Sequence, residues 1–233
     1  MLSVIISLGI IKFAFCGRQK VCLMLKILLV RHGRTEWNDV HRFQGRTDIP
    51  LNEAGLAQAE KTARRIEGWP ADAVYTSPLT RARQTAEIIA ARYKRPPIVL
   101  DDLTEVDFGS WEGFHFRQLL EKKDDALLKW ISDPFFHMPL GAENWDSIIE
   151  RSERVADTVL NSGHKHVVVV SHGGMMRGLL VAFLGVDPHT VWKIKSSNCS
   201  LTGIEVREHE TLLAFANDAL HLKEVPGDHL PVW

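Results

Sequence analysis

Two histidines stand in the same local setting. His32 follows Lys26-Ile27-Leu28-Leu29-Val30-Arg31 and precedes Gly33. His172 follows Val167-Val168-Val169-Val170-Ser171 and precedes Gly173-Gly174. Each apolar run reads as a buried strand, and in a parallel α/β sheet ligands bind beyond the carboxyl ends of the strands. Glycine after each histidine lets backbone approach a ligand, and a helix starting just beyond offers free N–H groups that suit phosphate. A zinc site built on the pair needs a third ligand, and no HExxH occurs, so no metal and no cofactor is assigned. Arg31 beside His32, and Arg81 and Arg83 at the start of a predicted helix, favour an anion. Arginine there opposes the helix dipole unless an anion is bound, and guanidinium grips phosphate oxygens as a planar fork. Arg81 is the preferred ligand, because position 83 lies about 200° further round a helix. An acid completes the set. Glu105 sits in Leu103-Thr104-Glu105-Val106-Asp107-Phe108-Gly109-Ser110-Trp111-Glu112-Gly113, and a carboxyl tucked against aromatic rings is pushed toward its protonated form, which suits a general acid. Asp107 and Glu112 compete with it on local reading.

Alternating strand and helix patterns must position these groups. Strands are expected at Lys26–Val30, Ala73–Thr76, Pro97–Leu100 and Val167–Val170, with late strands at Cys199–Val206 and Thr211–Ala216. Helices are expected near Asn52–Gly68 (N-cap Asn52; apolar Leu56, Ala59, Ala63, Ile66), Pro78–Tyr93, Phe114–Ile131, Asp146–Leu160 and Gly174–Leu184. Ser132–Gly141 reads as an irregular insertion. The alternation implies one α/β domain with a largely parallel sheet.

The chain has 233 residues, enough for a sizeable core, with 28 Lys plus Arg against 29 Asp plus Glu. A net charge of −1 steers it neither to nucleic acid nor to an anionic membrane, so cationic character at a site must be local. Cys16, Cys22 and Cys199 are too widely spaced for a CxxC site and read as free thiols of a reducing compartment. Residues 2–15 are mostly apolar but too short to span a membrane, and the basic residues Arg18 and Lys20 follow the run instead of preceding it. We therefore read 1–23 as an upstream extension before a natural start at Met24, with an export or anchoring signal as the alternative, and expect a cytoplasmic protein. Oligomeric state is left open, a homodimer included.

Arg31-His32-Gly33-Arg34-Thr35-Glu36-Trp37-Asn38, followed by Arg42-Phe43-Gln44-Gly45-Arg46-Thr47-Asp48-Ile49-Pro50-Leu51, resembles the signature of the histidine phosphatase superfamily, branch 1, the phosphoglycerate mutase-like group. Ser77–Ala86, Leu103–Gly113, Ser171–Gly174 and Asn217–Leu222 continue the resemblance in order, over essentially Met24 to Leu222. It implies a three-layer α/β sandwich and a metal-independent phosphatase of a small phosphorylated metabolite. It assigns His32 as the nucleophile that becomes phosphohistidine. Arg31, Arg81 and His172 would clamp the phosphoryl group, and Glu105 would act as acid and then base. Gly33, Thr35, Asn38, Gln44, Gly45 and Gly173 would contribute to substrate binding. The 67 residues between Glu105 and His172, and the Phe43–Asp48 loop, look more like the phosphatases than the mutases, with a cofactor-dependent phosphoglycerate mutase as the alternative and an inactive phospho-ligand binding protein as a remote one. The sequence is similar to the α-ribazole and broad-specificity phosphatases. Two departures, Arg34 and Gly141-Ala142-Glu143-Asn144, are expected to tune substrate choice. Phe114–Asn144 is expected to overhang the pocket, with Trp130, Phe135, Phe136 and His137 favouring an apolar or ring-bearing substrate.

Overall fold

The computed structural model describes residues 24–135 and 137–223. Residues 1–23, with Cys16 and Cys22, Phe136 and residues 224–233 lie outside the described residues, so the readings placed on them stand as expectations.

Among the described residues six strands form one sheet: β1 (Leu25–Arg31), β2 (Ala73–Thr76), β3 (Ile98–Val99), β4 (His166–Ser171), β5 (Leu201–Val206) and β6 (Thr211–Asp218). Their order is β3-β2-β4-β1-β5-β6. The first four are mutually parallel, and β5 runs antiparallel to both β1 and β6. Among the described residues eight α-helices accompany them: α1 (Glu36–Asp39), α2 (Glu53–Arg65), α3 (Thr80–Ala91), α4 (Phe116–Glu121), α5 (Asp125–Ser132), α6 (Trp145–Leu160), α7 (Gly173–Leu184) and α8 (Pro188–Val191).

The valine run of β4 shows why three layers form. Side chains alternate across a strand, so an all-apolar run requires cover on both faces. Val168 and Val170 pack with Ala63, Ala82, Ala86 and Ile89 of α2 and α3. Val167 and Val169 pack with Val155, Met175 and Leu179 of α6 and α7. The helix after β1 and the helix after β4 therefore lie on opposite faces of the sheet. The carboxyl ends of these adjacent strands form the switch point where α/β sheets open a crevice.

The expected elements shift in detail. Asn52 caps α2 by accepting from the Gly55 N–H, yet α2 ends at Arg65, and Leu56 is exposed because that face meets solvent. β3 shrinks to two residues, both exposed at the sheet edge. The single helix expected over 114–131 is two. Lys123 takes a positive φ of 50°, and Asp124 restarts the helix by accepting from the Leu127 N–H. Among the described residues, no helix is long and apolar enough to cross a membrane.

Candidate active site

Strand register brings the histidines together. Arg31 of β1 is paired with Ser171 of β4, so the next residue on each strand is a histidine. The His32 N–H extends the ladder by donating to the Ser171 carbonyl at 2.9 Å. The two rings lie 5.1 Å apart, centroid to centroid, and both side chains are buried.

The hydrogen bonds fix the tautomers. His32 Nδ1 lies 2.7 Å from the Gly33 carbonyl, which only accepts. Nδ1 therefore carries the proton, and Nε2 keeps its lone pair. Arg81 Nε donates to His172 Nδ1 at 3.2 Å, leaving His172 Nε2–H to donate to Ser77 Oγ at 2.7 Å. Burial holds both imidazoles well below their ordinary pKa, and the Arg81 and Arg31 guanidiniums push the same way. Both rings are neutral at physiological pH.

That neutrality has a stability consequence. Below the ordinary histidine pKa the unfolded chain takes up protons that the folded chain refuses, so unfolding is favoured as pH falls. The slope approaches about 1.4 kcal/mol per pH unit for each ring, starting near pH ~6.5. Urea unfolding midpoints should fall steadily from about pH 7 to about pH 5, before most carboxylates titrate. A flat midpoint over that range would mean that the rings protonate in place.

Arg31 and Arg81 reach the same cleft. Arg31 Nη1 donates to the Ser196 carbonyl at 2.6 Å, while its buried Nε finds no acceptor among the described residues. Arg81 is fully buried and donates to the carbonyls of Gly45 (2.7 Å) and Thr47 (2.9 Å). Burial lowers the pKa of both, with the Glu105 carboxylate opposing. Arg83 is exposed on the far side of α3 and pairs with Glu87. Leu79, the N-cap of α3, supplies no side-chain bond. Asp48 does so instead, accepting from the Thr80 N–H and hydroxyl at 2.7 Å each.

Of the three candidate acids, Glu105 is the one in the cleft. Its carboxylate accepts from the Gly174 N–H (3.1 Å) and the Met175 N–H (3.0 Å), so the amino end of α7 holds this acid. The sequence reading gave those N–H groups to phosphate. Glu112 instead ties down the 44–48 loop, accepting from the N–H groups of Arg46 and Thr47 and from the Thr47 hydroxyl. Asp107 accepts from the Gly109 N–H in its own turn.

The cleft, ≈280 Å³ in volume, is lined by Arg31, His32, Asn38, Gln44, Gly45, Arg81, Glu105 and Gly173 among the expected residues. His172, Thr35 and Gly33 do not line it. Thr35 caps α1, with its hydroxyl 3.1 Å from Asn38 Oδ1 and 3.0 Å from Gln44 Oε1. A Cβ on Gly33 would come within 2.5 Å of the Gly55 carbonyl, so that glycine serves strand–helix packing. At the second histidine the demanding position is Gly174, where a Cβ would come within 2.6 Å of Glu105 Oε1.

Arg34 points away from the cleft and pairs with Asp39, so it adds no cationic charge there. Glu143 forms a buried pair with Arg151 (2.8 Å), and Arg151 also donates to the carbonyls of Asp102 and Thr104, beside Glu105. Glu143→Ala leaves that guanidinium buried without its partner and should cost about 3–5 kcal/mol of stability by chemical denaturation. A loss under about 1 kcal/mol would show that water compensates the charge. Phe135 stacks on Trp145 at 5.4 Å, and His137 is exposed outside the cleft. Trp130 does line it.

Other contributors went unread in the sequence. Asn198 donates to the His32 carbonyl at 2.9 Å, and Ser77 orients His172. Arg177 and Trp192 line the cleft, with the guanidinium carbon 4.1 Å from the indole centroid. Burial, with Arg31 nearby, lowers the Arg177 pKa to about 10. No cluster able to hold a metal occurs among the described residues.

The chain matches the family described as "Histidine phosphatase superfamily (branch 1)" over residues 27–219. It is 33% identical over 206 residues to the metal-independent phosphoserine phosphatase of Arabidopsis thaliana, covering 86% of this chain and 84% of that one. It is 32% identical to the "Probable phosphoglycerate mutase GpmB" of Proteus mirabilis, covering 89% and 99%. The alpha-ribazole phosphatase of Shigella flexneri superposes with a TM-score of 0.75 at 25% identity, covering 83% and 96%. Sequence match and fold agree: the chain belongs to branch 1 of the histidine phosphatase superfamily and is a hydrolase of phosphomonoesters.

Proposed function

We propose that this protein hydrolyses a small phosphorylated metabolite through a phosphohistidine at His32. The observation that carries the reading is a neutral imidazole whose bare Nε2 shares a cleft with Arg31, Arg81 and Glu105. In the first step the Nε2 lone pair attacks phosphorus, the P–O ester bond breaks, and protonated Glu105 gives its proton to the leaving oxygen. In the second, water attacks phosphorus while the Glu105 carboxylate takes its proton. The P–N bond then breaks, releasing inorganic phosphate and neutral His32. Splitting one hard displacement into two lowers each barrier. Arg31 and Arg81 stabilise charge on the transferring group, and His172 joins them when its Nε2–H turns from Ser77 Oγ to a phosphoryl oxygen. Asn38, Gln44, Gly45 and Gly173 contact the substrate, and Thr35 and Gly33 hold that wall in place.

Residues 24–233 make up the phosphatase domain, and 114–144 face the substrate through Trp130. No step requires a metal. The protein works in the cytoplasm on a metabolite, without nucleic acid or membrane as partner. The experiment is a phosphate-release screen over phosphoserine, phosphoglycerates, sugar phosphates and α-ribazole phosphate, with and without chelator. Release that survives chelation is expected. Isomerisation of phosphoglycerate faster than phosphate release would favour a mutase, and loss with chelator would contradict the metal-free chemistry.

A further inference from the structure

Arg177 is the one charge in α7, whose other eleven residues are Gly, Met, Leu, Val, Ala and Phe. A buried cation in an apolar helix is retained against a desolvation cost, and among the described residues Arg177 pairs with no carboxylate. Nη1 donates to the Gly173 carbonyl at 2.8 Å, whereas Nε is buried and finds no acceptor among the described residues. The same holds for two indole N–H groups lining this cleft, those of Trp130 and Trp192. The three unmatched donors are neighbours: Trp192 lies under the Arg177 guanidinium, and the Trp130 and Trp192 rings are 5.7 Å apart. Buried donors without acceptors are rare in native proteins and call for a partner.

Their place relative to the chemistry sets what the partner is. Glu105 is held by the Gly174 and Met175 N–H groups, in the same first turn of α7 whose Gly173 carbonyl holds Arg177. The donors therefore stand on the side of the cleft where the leaving oxygen must meet its acid. Arg42, another cation lining the cleft, donates through Nε to His115 Nε2 at 2.9 Å and lies over Trp37. An acceptor-only, negatively charged group matches three donors, and an ammonium group does not.

We infer that Arg177, Trp192 and Trp130 form a subsite for a carboxylate carried by the leaving group, selecting phosphorylated hydroxy acids and hydroxyamino acids over their carboxylate-free analogues. This deepens the phosphatase reading and names its substrate class.

Binding to the His32→Ala protein tests it without turnover. Phosphoserine and phosphoethanolamine differ only in the carboxylate. Calorimetry should show phosphoserine binding at least about 10-fold more tightly, the scale of a charged hydrogen bond. In His32→Ala/Arg177→Met the two should bind about equally. In His32→Ala/Trp192→Phe, which keeps a ring beneath the guanidinium, the preference should shrink only a few-fold, and thermal melting confirms that each variant folds. Equal affinities before Arg177 is changed would overturn the subsite. So would equal weakening of both ligands by Arg177→Met, which would place Arg177 on the phosphoryl group, or a preference lost on Arg42→Met instead. Turnover of the same pair by the otherwise unaltered enzyme separates the two readings. Hydrolysis without preference sinks the subsite alone. Absence of hydrolysis with intact binding preference sinks the reaction alone.

Discussion

Replacing His32 by alanine should lower phosphate release by about 10⁴-fold or more, the scale on which removing a covalent nucleophile acts. Loss of stability should not be the cause. The imidazole makes one hydrogen bond, to the adjacent Gly33 carbonyl, and the backbone around it is held independently. The His32 N–H is paired with Ser171, and its carbonyl accepts from Asn198 and Cys199. Removing the ring also removes a buried neutral base, so the variant should be less sensitive to acid than its parent. Activity within about 10-fold of the parent would move the nucleophile elsewhere.

Glu105→Gln should lower turnover by about 10²–10⁴-fold through a different signature. The amide oxygen still accepts an N–H bond from the first turn of α7, but the side chain neither gives nor takes a proton. Slow hydrolysis of the phosphoenzyme should then let it accumulate. The loss should also depend on the leaving group. An aryl phosphate, whose phenolate departs without help, should still phosphorylate the variant rapidly, whereas an alkyl phosphate should be slow in both steps. A loss independent of leaving group, with no phosphoenzyme build-up, would reduce Glu105 to a structural brace for α7.

What the sequence made legible follows physical lines. β1, β2 and β4 announce themselves because strands covered on both faces are apolar throughout, and their ends carry His32 and His172. Arg81 was readable because arginine opening a helix runs against the dipole unless something else explains it. Contacts made across the fold were not readable. Gly33 meets Gly55 across the fold, where local reasoning assigned its freedom to a ligand, and nothing local marked the approach of Gly174 to Glu105. The use of the α7 amino end by Glu105 likewise depends on tertiary placement. The break at Lys123 had no Gly or Pro to mark it, although Asp124 was an available cap. Arg177 did carry a signal, a lone charge in an apolar helix, that a search for histidine and carboxylate motifs passes over.

The central claim is that the phosphoryl group rests on His32 between two displacements. Its most direct test is rapid quenching of the Glu105→Gln protein with a ³²P-labelled aryl phosphate, followed by peptide mapping. Acid-labile, base-stable label confined to the peptide containing His32 is the expected result. Label on another residue, or phosphate release from the parent enzyme with no protein-bound label at any quench time, would contradict the account.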